Sequence, residues 1–295
     1  MLVPSAQTFD IQGDDTYIYY SDQTGELNRV SKKGGTPENL GLFPGTVELI
    51  RLDASNLYVM TSDEASELDT LWSLPKNGGT PAQLAGGIST PFDLALDDQY
   101  VYWVTIGTPT ADDFVADGKV ERIRKDGSGR QLLASNLNTP TAVAVDATNV
   151  YYSEAGLSSE TQAAGVRSMP KGGGPIRALS SSPFVFTIAL RDSQVLFPVI
   201  DFTGTTIEAV SKSGGSATPI FSGLDFVPAL RVVGDTIYYY NSGDTSDTIE
   251  RVPLAGGSRT VVVTGPFATV AFVVDDCAIF YEDDAGNLNR APRPD

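Results

Sequence analysis

Apolar and polar residues alternate in short stretches along the whole chain. Two examples are Phe92-Asp93-Leu94-Ala95-Leu96-Asp97 and Thr141-Ala142-Val143-Ala144-Val145-Asp146. A period of two predicts β-strands, and the final Asp followed by a few polar residues predicts a tight turn into the next strand. The chain lacks helical periodicity and is rich in strand and turn formers, so we expect an all-β protein.

A landmark motif recurs through this alternation. It consists of an aliphatic residue followed by two positions that are mostly aromatic, as in Ile18-Tyr19-Tyr20 and Val101-Tyr102-Trp103. The seven occurrences begin at Ile18, Leu57, Val101, Val150, Val195, Ile237 and Ile279. A repeat of about 43 residues indicates one supersecondary unit used many times. We expect the aromatic pairs to pack between neighbouring sheets, since strand side chains alternate in direction.

Each repeat predicts four strands. The alternating stretch is the inner strand and the landmark is the second; a third strand such as Leu27-Asn28-Arg29-Val30, a glycine turn such as Lys33-Gly34-Gly35 and a fourth strand follow. Four antiparallel strands in each of seven repeats predict a seven-bladed β-propeller, as a single domain over residues 1–295. The blades cover approximately residues 8–46, 47–90, 91–139, 140–182, 183–226, 227–269, and 270–295 together with 1–7.

The two ends of the chain predict how the ring closes. The last repeat stops at Pro292-Arg293-Pro294-Asp295, after its third strand, and residues 1–7 precede the first inner strand. We expect Leu2-Val3 to supply the missing outer strand of the last blade. Such closure leaves no exposed sheet edge around the ring.

Composition and charge exclude several classes of function. The formal net charge is −17, which disfavours nucleic acid, and no apolar run is long enough to span a membrane. The chain has no histidine, which removes the commonest general base and zinc ligand.

Cys277 is the single cysteine, so neither an internal disulfide nor a thiolate metal cluster is expected. Its place at the start of a strand predicts a buried structural thiol.

The sequence also bears on location and assembly. Residues 1–7 carry neither a basic region nor an apolar run, which predicts no signal peptide. The acidic, Lys-poor character favours the mature domain of a bacterial protein located outside the cell or in the periplasm, with a cytoplasmic protein as the alternative. We expect a monomer.

Several landmarks resemble a known repeat. Tyr19-Tyr20-Ser21-Asp22, Tyr102-Trp103-Val104-Thr105 and Tyr151-Tyr152-Ser153-Glu154 resemble the YWTD repeat of low-density lipoprotein receptor propellers. The segments Pro91 to Asp97 and Pro140 to Asp146 resemble the strand entry shared by YWTD, NHL-repeat and gluconolactonase-like propellers. The YWTD resemblance implies protein binding without catalysis, although receptor domains have six blades. The gluconolactonase-like resemblance implies a divalent metal in the central channel, but no residues here match its metal motif.

Acidic residues concentrate in the loops between second and third strands and between blades, a set we call the acidic loop face. Its longest loop, Ile106 to Gly118, carries Asp112, Asp113, an exposed Phe114 and Asp117, and we expect it to contact a partner. Lys32, Lys33, Lys76, Lys125, Lys171, Lys212 and Arg293 predict a mildly basic opposite face. The alternative is that all these charges are solvated and serve solubility. The acidic set is Asp22, Glu26, Asp63, Glu64, Glu67, Asp69, Asp112, Asp113, Asp117, Glu154, Glu160, Asp201, Asp244, Asp247, Glu282, Asp283 and Asp284.

Charged residues also interrupt the predicted inner strands. Asp10 and Asp93 share one repeat position, Arg51 and Arg231 share another, and Glu48 lies at the mouth of the second blade. They either neutralise each other across the channel or hold a small polar ligand. Two close carboxylates could also perform acid/base chemistry without histidine.

These patterns favour a non-enzymatic recognition scaffold. Its acidic loop face and channel mouth would bind a protein, a glycan or a cationic ligand, and no cofactor is required, with Ca²⁺ as the candidate cation. The alternative is a metal-dependent hydrolase or lactonase whose site lies at the central channel.

Overall fold

The computed structural model describes residues 1–22, 24–63, 68–161, 163–201, 204–243 and 246–294. Over these residues it is all-β, and the strands form seven antiparallel sheets in sequence order. The fold is the seven-bladed β-propeller that the repeats predict. Within the described ranges, no helix is long and apolar enough to cross a membrane.

The chain divides into two compact units. The first comprises Met1–Ile88, Ser246–Ile249 and Val262–Asp295, and the second comprises Ser89–Thr245 and Glu250–Val261. The expectation of one domain over residues 1–295 stays a prediction.

The first unit contains the first, second and last blades. The first blade consists of β1 (Ile11–Gly13), β2 (Tyr17–Ser21), β3 (Glu26–Ser31) and β4 (Glu38–Leu42). The second consists of β5 (Thr46–Leu52), β6 (Asn56–Ser62), β7 (Asp69–Pro75) and β8 (Ala82–Ile88). The last contains β25 (Phe267–Val274), β26 (Ala278–Asp283) and β27 (Leu288–Pro292).

The second unit contains the third to fifth blades and most of the sixth. Their strands are β9 (Pro91–Leu96), β10 (Tyr100–Thr105), β11 (Gly118–Arg124) and β12 (Gln131–Leu137), then β13 (Pro140–Val145), β14 (Asn149–Glu154), β15 (Gly165–Pro170) and β16 (Arg177–Ala178). The next are β17 (Ala189–Arg191), β18 (Gln194–Asp201), β19 (Gly204–Ser211) and β20 (Thr218–Leu224). The sixth sheet has β21 (Phe226–Val233), β22 (Thr236–Ser242), β23 (Asp247–Pro253) and β24 (Thr260–Thr264).

The second strand of each blade forms its buried centre. In β10, every residue from Val101 to Thr105 is buried, because both faces of the sheet are covered. The landmark aromatics Tyr102 and Trp103 are fully buried on alternate sides of that strand, and Tyr151 and Tyr152 repeat the arrangement in β14. The prediction that these rings pack between sheets is confirmed.

The amino-terminal segment completes the last blade as predicted. Leu2 donates its N–H to the carbonyl of Leu288 at 2.7 Å, and Leu288 donates its N–H to the carbonyl of Val3 at 2.9 Å. The pairing is a single antiparallel bridge between Val3 and Leu288 rather than a full strand. Val3 and Ala6 then join a buried apolar cluster that includes Ile11.

The prediction for Cys277 is wrong. The residue is exposed, in the turn between β25 and β26, where its N–H donates to a carboxylate oxygen of Asp275 at 2.8 Å. The apolar strand begins one residue later, at the buried Ala278. The turn geometry therefore places Cys277 at the surface.

Candidate functional site

The long loop between β10 and β11 has an ordered local structure. Pro109 and Phe114 form an isolated antiparallel bridge. Asp117 accepts hydrogen bonds from the N–H and the hydroxyl of Thr108, both at 2.7 Å. Asp112 is exposed near the tip, whereas Phe114 is half-buried rather than exposed as we predicted.

This loop is joined to the loop that follows β14. A carboxylate oxygen of Asp113 accepts the N–H of Ser159 at 2.7 Å, and Glu160 accepts the N–H of Ala116 at 2.8 Å. Hydrogen bonds from Ser159 and from the N–H of Phe114 hold the pKa of Asp113 below its ordinary value. We call the carboxylates of Asp112, Asp113, Asp117 and Glu160 the acidic platform.

The buried side chain of Asn138 holds the loop that follows β14 in place. Asn138 is fully buried, and its side-chain nitrogen donates to the carbonyls of Ser158 at 3.1 Å and Thr161 at 2.9 Å. Its side-chain oxygen accepts the N–H of Ser158 at 2.8 Å, and its own N–H donates to Glu154 at 2.9 Å. Sequence reasoning missed Asn138, because a single Asn between two strands carries no pattern.

Two of the predicted inner-strand charges form an ion pair. A guanidinium nitrogen of Arg51 lies 2.9 Å from a carboxylate oxygen of Asp10. The same oxygen accepts the N–H of Ile50 at 2.9 Å, and Gln12 donates to the carboxylate. The pair therefore links the first blade to the inner strand of the second.

Asp93 and Arg231 occupy comparable places in the second unit. Asp93 accepts the N–H of Leu94 at 2.8 Å and that of Val143 at 2.9 Å, so it ties the third blade to the fourth as Asp10 ties the first to the second. Arg231 donates to the carbonyl of Leu230 at 2.9 Å. Ligand binding by either residue stays a prediction.

Glu48 lies near a second acid in the second blade. Burial and the negative charge of Glu48 raise the pKa of Asp69 to about 6. Asp69 is almost completely buried, with 7% of its surface exposed. The carboxyl of Asp69 therefore has a raised proton affinity.

The residues of the acidic loop face differ in burial and in hydrogen bonding. Glu154, like Asp69, is buried, and Asp22 accepts hydrogen bonds from Thr24 within its own turn. Asp283 accepts hydrogen bonds from Asn287 and Asn289. Glu64, Glu67 and Asp244 lie outside the described residues. Part of the set is therefore structural.

The lysines of the predicted basic face are largely engaged in ion pairs. Lys32 lies 2.7 Å from Asp275, and Lys212 lies 3.2 Å from Asp146. Lys171 contacts Asp97 at 2.5 Å. These cations are half-buried, so their charge is compensated locally rather than presented to solvent. The recurring order of turn Asp, strand Tyr and a Lys before the glycine turn is visible in the sequence.

The described ranges bear on the predicted metal site. They hold no group of three or more carboxylate or cysteine side chains arranged to bind a metal ion. Ca²⁺ binding stays a prediction.

Comparison with known proteins identifies the fold class. No protein-family model matches the chain, and no curated protein matches it. A chain of the nidogen/laminin complex is 16% identical with a TM-score of 0.59, covering 84% of this chain and 92% of that one. The computationally designed Ika8 protein is 11% identical with a TM-score of 0.65, covering 99% and 97%. The tricorn protease is 10% identical with a TM-score of 0.70, and the match covers 98% of this chain and 33% of that protein. At these identities the likeness is one of fold, which agrees with the resemblance to YWTD-type propellers.

Proposed function

We propose that this propeller is a recognition module that binds a basic protein surface through the acidic platform. The observation that carries the proposal is the bracing of its two loops by the hydrogen bonds from Ser159 to Asp113 and from Ala116 to Glu160. A braced platform loses little conformational entropy on binding. Its negative charge accelerates and orients encounters with a positive partner.

The fold comparison supports the protein-binding part of this proposal. One structural neighbour is a chain of a complex between nidogen and laminin. Propellers of this class thus occur in protein assemblies. Glycan binding is an alternative outcome of the experiment below, and the extracellular or periplasmic location and the monomeric state stay predictions.

The hydrolase alternative has less support. A metal-dependent site would need several oxygen ligands converging near the reacting bond. In the described residues Glu48 lies near Asp69, but no group of three or more carboxylate or cysteine side chains is arranged to bind a metal ion. Titration with Ca²⁺ while the melting temperature is followed tests this alternative, because a ligand that binds the folded state raises it.

Matched charge reversals test the acidic platform. Asp112→Lys changes its exposed tip, and Asp98→Lys changes an exposed acid at the other end of β10. The probes are a lysine-rich decapeptide, a serine/glycine decapeptide and a neutral oligosaccharide, with binding measured at low and at physiological salt. We expect Asp112→Lys to weaken lysine-peptide binding about fivefold or more and Asp98→Lys less than about twofold, with weaker binding at high salt.

Three results would contradict the proposal. Equal effects of the two reversals would show attraction to net charge alone, and absence of binding by the unmodified protein at low salt would remove the site. Salt-independent binding of a neutral oligosaccharide at this platform, with none of the lysine peptide, would replace the protein partner with a glycan.

A further inference from the structure

A cavity of about 470 Å³ lies beside the segment that joins the amino terminus to the last blade. Its lining includes Thr8, Phe9, Val270, Glu282 and Gly286. Phe9 and Val270 are 53% and 43% exposed, so the cavity has an apolar rim open to solvent.

Glu282 is an exception within the repeat. It is fully buried, three residues after the start of the last landmark. The corresponding positions of the other six blades are also buried, and none of them is charged; they are Ser21, Met60, Val104, Ser153, Pro198 and Tyr240. A blade of this architecture therefore does not need a carboxylate here.

Four of the other five buried carboxylates in the described residues have arginine partners, and Asp69, beside Glu48, is the exception. Asp10 pairs with Arg51, Glu121 with Arg130, Glu154 with Arg167 and Glu250 with Arg259. Both carboxylate oxygens of Glu282 instead lie 3.1 Å from the backbone nitrogen of Thr8, and no described Lys or Arg forms an ion pair with it. Burial, opposed in part by the N–H groups of Thr8 and Gln7, raises the pKa of Glu282 to about 7.

The segment that leads to Thr8 contains two residues in a strained backbone conformation. Ser5 and Gln7 have φ of 52° and 50°, in the left-handed region that non-glycine residues rarely adopt. Gln7 donates its N–H to the carbonyl of Gly286 at 3.2 Å. Local strain that the surrounding structure maintains is a feature of binding sites.

We propose that this cavity binds an alkylammonium group, such as the side chain of a lysine, with Glu282 as its counter-ion and with Phe9 and Val270 against its aliphatic stem. A buried carboxylate without a cation is costly, and a bound ammonium removes that cost. The apolar rim suits a methylene chain, and the face of Phe9 attracts the same positive charge. This site belongs to the first unit and is independent of the acidic platform, which belongs to the second.

The probe is N-acetyl-lysine N-methylamide, and N-acetyl-norleucine N-methylamide is its neutral counterpart. Binding is followed by ¹H–¹⁵N NMR at the amides of Thr8 and Gly286, at about pH 8 and about pH 5.5. We expect saturable shifts for the lysine compound, with a Kd of about 1 mM, and none for the norleucine compound. Binding is expected to weaken at the lower pH, where Glu282 is protonated.

Two variants test whether the negative charge of Glu282 is what holds the ammonium group. Glu282→Gln keeps the shape of the side chain and should weaken binding of the lysine compound about tenfold or more. The control is Asp276→Asn, which changes a fully exposed acid in the turn before β26 and should leave binding unchanged. Equal shifts from the norleucine compound, unchanged binding by a folded Glu282→Gln variant, or no saturable shift in the unmodified protein would overturn the proposal. Binding of an arginine analogue without binding of the lysine compound would overturn the ammonium assignment.

Discussion

The Nζ atom of Lys76 lies 2.9 Å from a carboxylate oxygen of Asp14, so the second blade is tied to the first. The same carboxylate accepts the hydroxyl of Tyr19 at 2.7 Å and the N–H groups of Thr16 and Tyr17 at 2.9 Å. The pattern recurs with Asp97, Tyr102 and Lys171 and with Asp146, Tyr151 and Lys212. A repeated Asp–Tyr–Lys bridge thus fastens blades at the end where strands one and two meet.

The first prediction concerns the two ends of this bridge. Asp14→Asn removes the charge that Lys76, Tyr19 and two turn amides share, and it leaves a half-buried ammonium without a partner. We expect a loss of about 2 kcal/mol in the free energy of unfolding. Lys76→Met retains the hydrogen bonds of Asp14 and should cost about 1 kcal/mol. Urea unfolding monitored by tryptophan fluorescence measures both.

The exposed ion pair between Arg29 and Glu38 provides the control. The Glu38 side chain is 55% exposed, so Glu38→Gln should change the unfolding free energy by less than about 0.5 kcal/mol. Equal losses for Asp14→Asn and Glu38→Gln would contradict the assigned role of the bridge.

The second prediction is a pH optimum of stability. Burial alone would raise the pKa of Asp14, but hydrogen bonds from Lys76, from the turn amides and from Tyr19 outweigh it and hold the pKa well below its ordinary value. In the unfolded chain this carboxylate takes up its proton more readily, so stability falls as pH drops below about 4. Asp146 behaves in the same way through the turn amides, Tyr151 and Lys212.

Two buried acids, Glu282 and Asp69, act in the opposite direction. The pKa of Glu282 rises from 4.5 to about 7, so between these values the folded state binds more protons and its stability falls as pH rises. Asp69, with a pKa of about 6, adds to this slope. Melting temperatures should therefore peak near about pH 5. Glu282→Gln should raise the free energy of unfolding by about 2 kcal/mol at about pH 8 and change it little at about pH 4.5. If stability depends on pH with the same slope in this variant, Glu282 is not the group responsible.

The repeat revealed the fold because the landmark motif occurs in all seven blades and a glycine turn follows the third strand in six of them. It also gave the closure at Val3, since a missing fourth strand demands a partner. It could not give the bracing of Asp113 by Ser159, because that contact joins two irregular loops whose paths depend on tertiary structure. The lack of a cationic partner for Glu282 among the described residues was equally hidden, since a sequence shows a carboxylate but not whether a cation faces it.

The third prediction tests the corrected position of Cys277. An exposed thiol in a turn should react completely with a chromogenic disulfide such as DTNB in native buffer, without denaturant. Cys277→Ser should abolish the reaction and leave the melting temperature unchanged, because the side chain fills no core space. Reaction only after unfolding would restore the buried thiol that the sequence suggested.

The fourth prediction compares two glycines with positive φ. Gly45 has φ of 85°, and a Cβ there would lie 2.0 Å from the carbonyl oxygen of Ser62. Gly35 has φ of 126° with no atom within 4 Å of such a Cβ. Gly35→Ala should cost about 1 kcal/mol from backbone strain alone, and Gly45→Ala about 3 kcal/mol or more, since backbone must move. Similar urea midpoints for the two variants would contradict the close approach at Gly45.

The last prediction concerns the amino-terminal closure. Val3 is 6% exposed, bridges to Leu288 and packs in the apolar cluster with Ile11 and Phe280. Val3→Asp places an unpaired carboxylate in that cluster and should cost about 3 kcal/mol, whereas Met1→Asp, at a residue 76% exposed, should cost little. Limited proteolysis should cut Val3→Asp first near its termini, because the released segment uncovers the edge of β27. Equal resistance of the two variants to protease would show that the last blade is stable without its fourth segment.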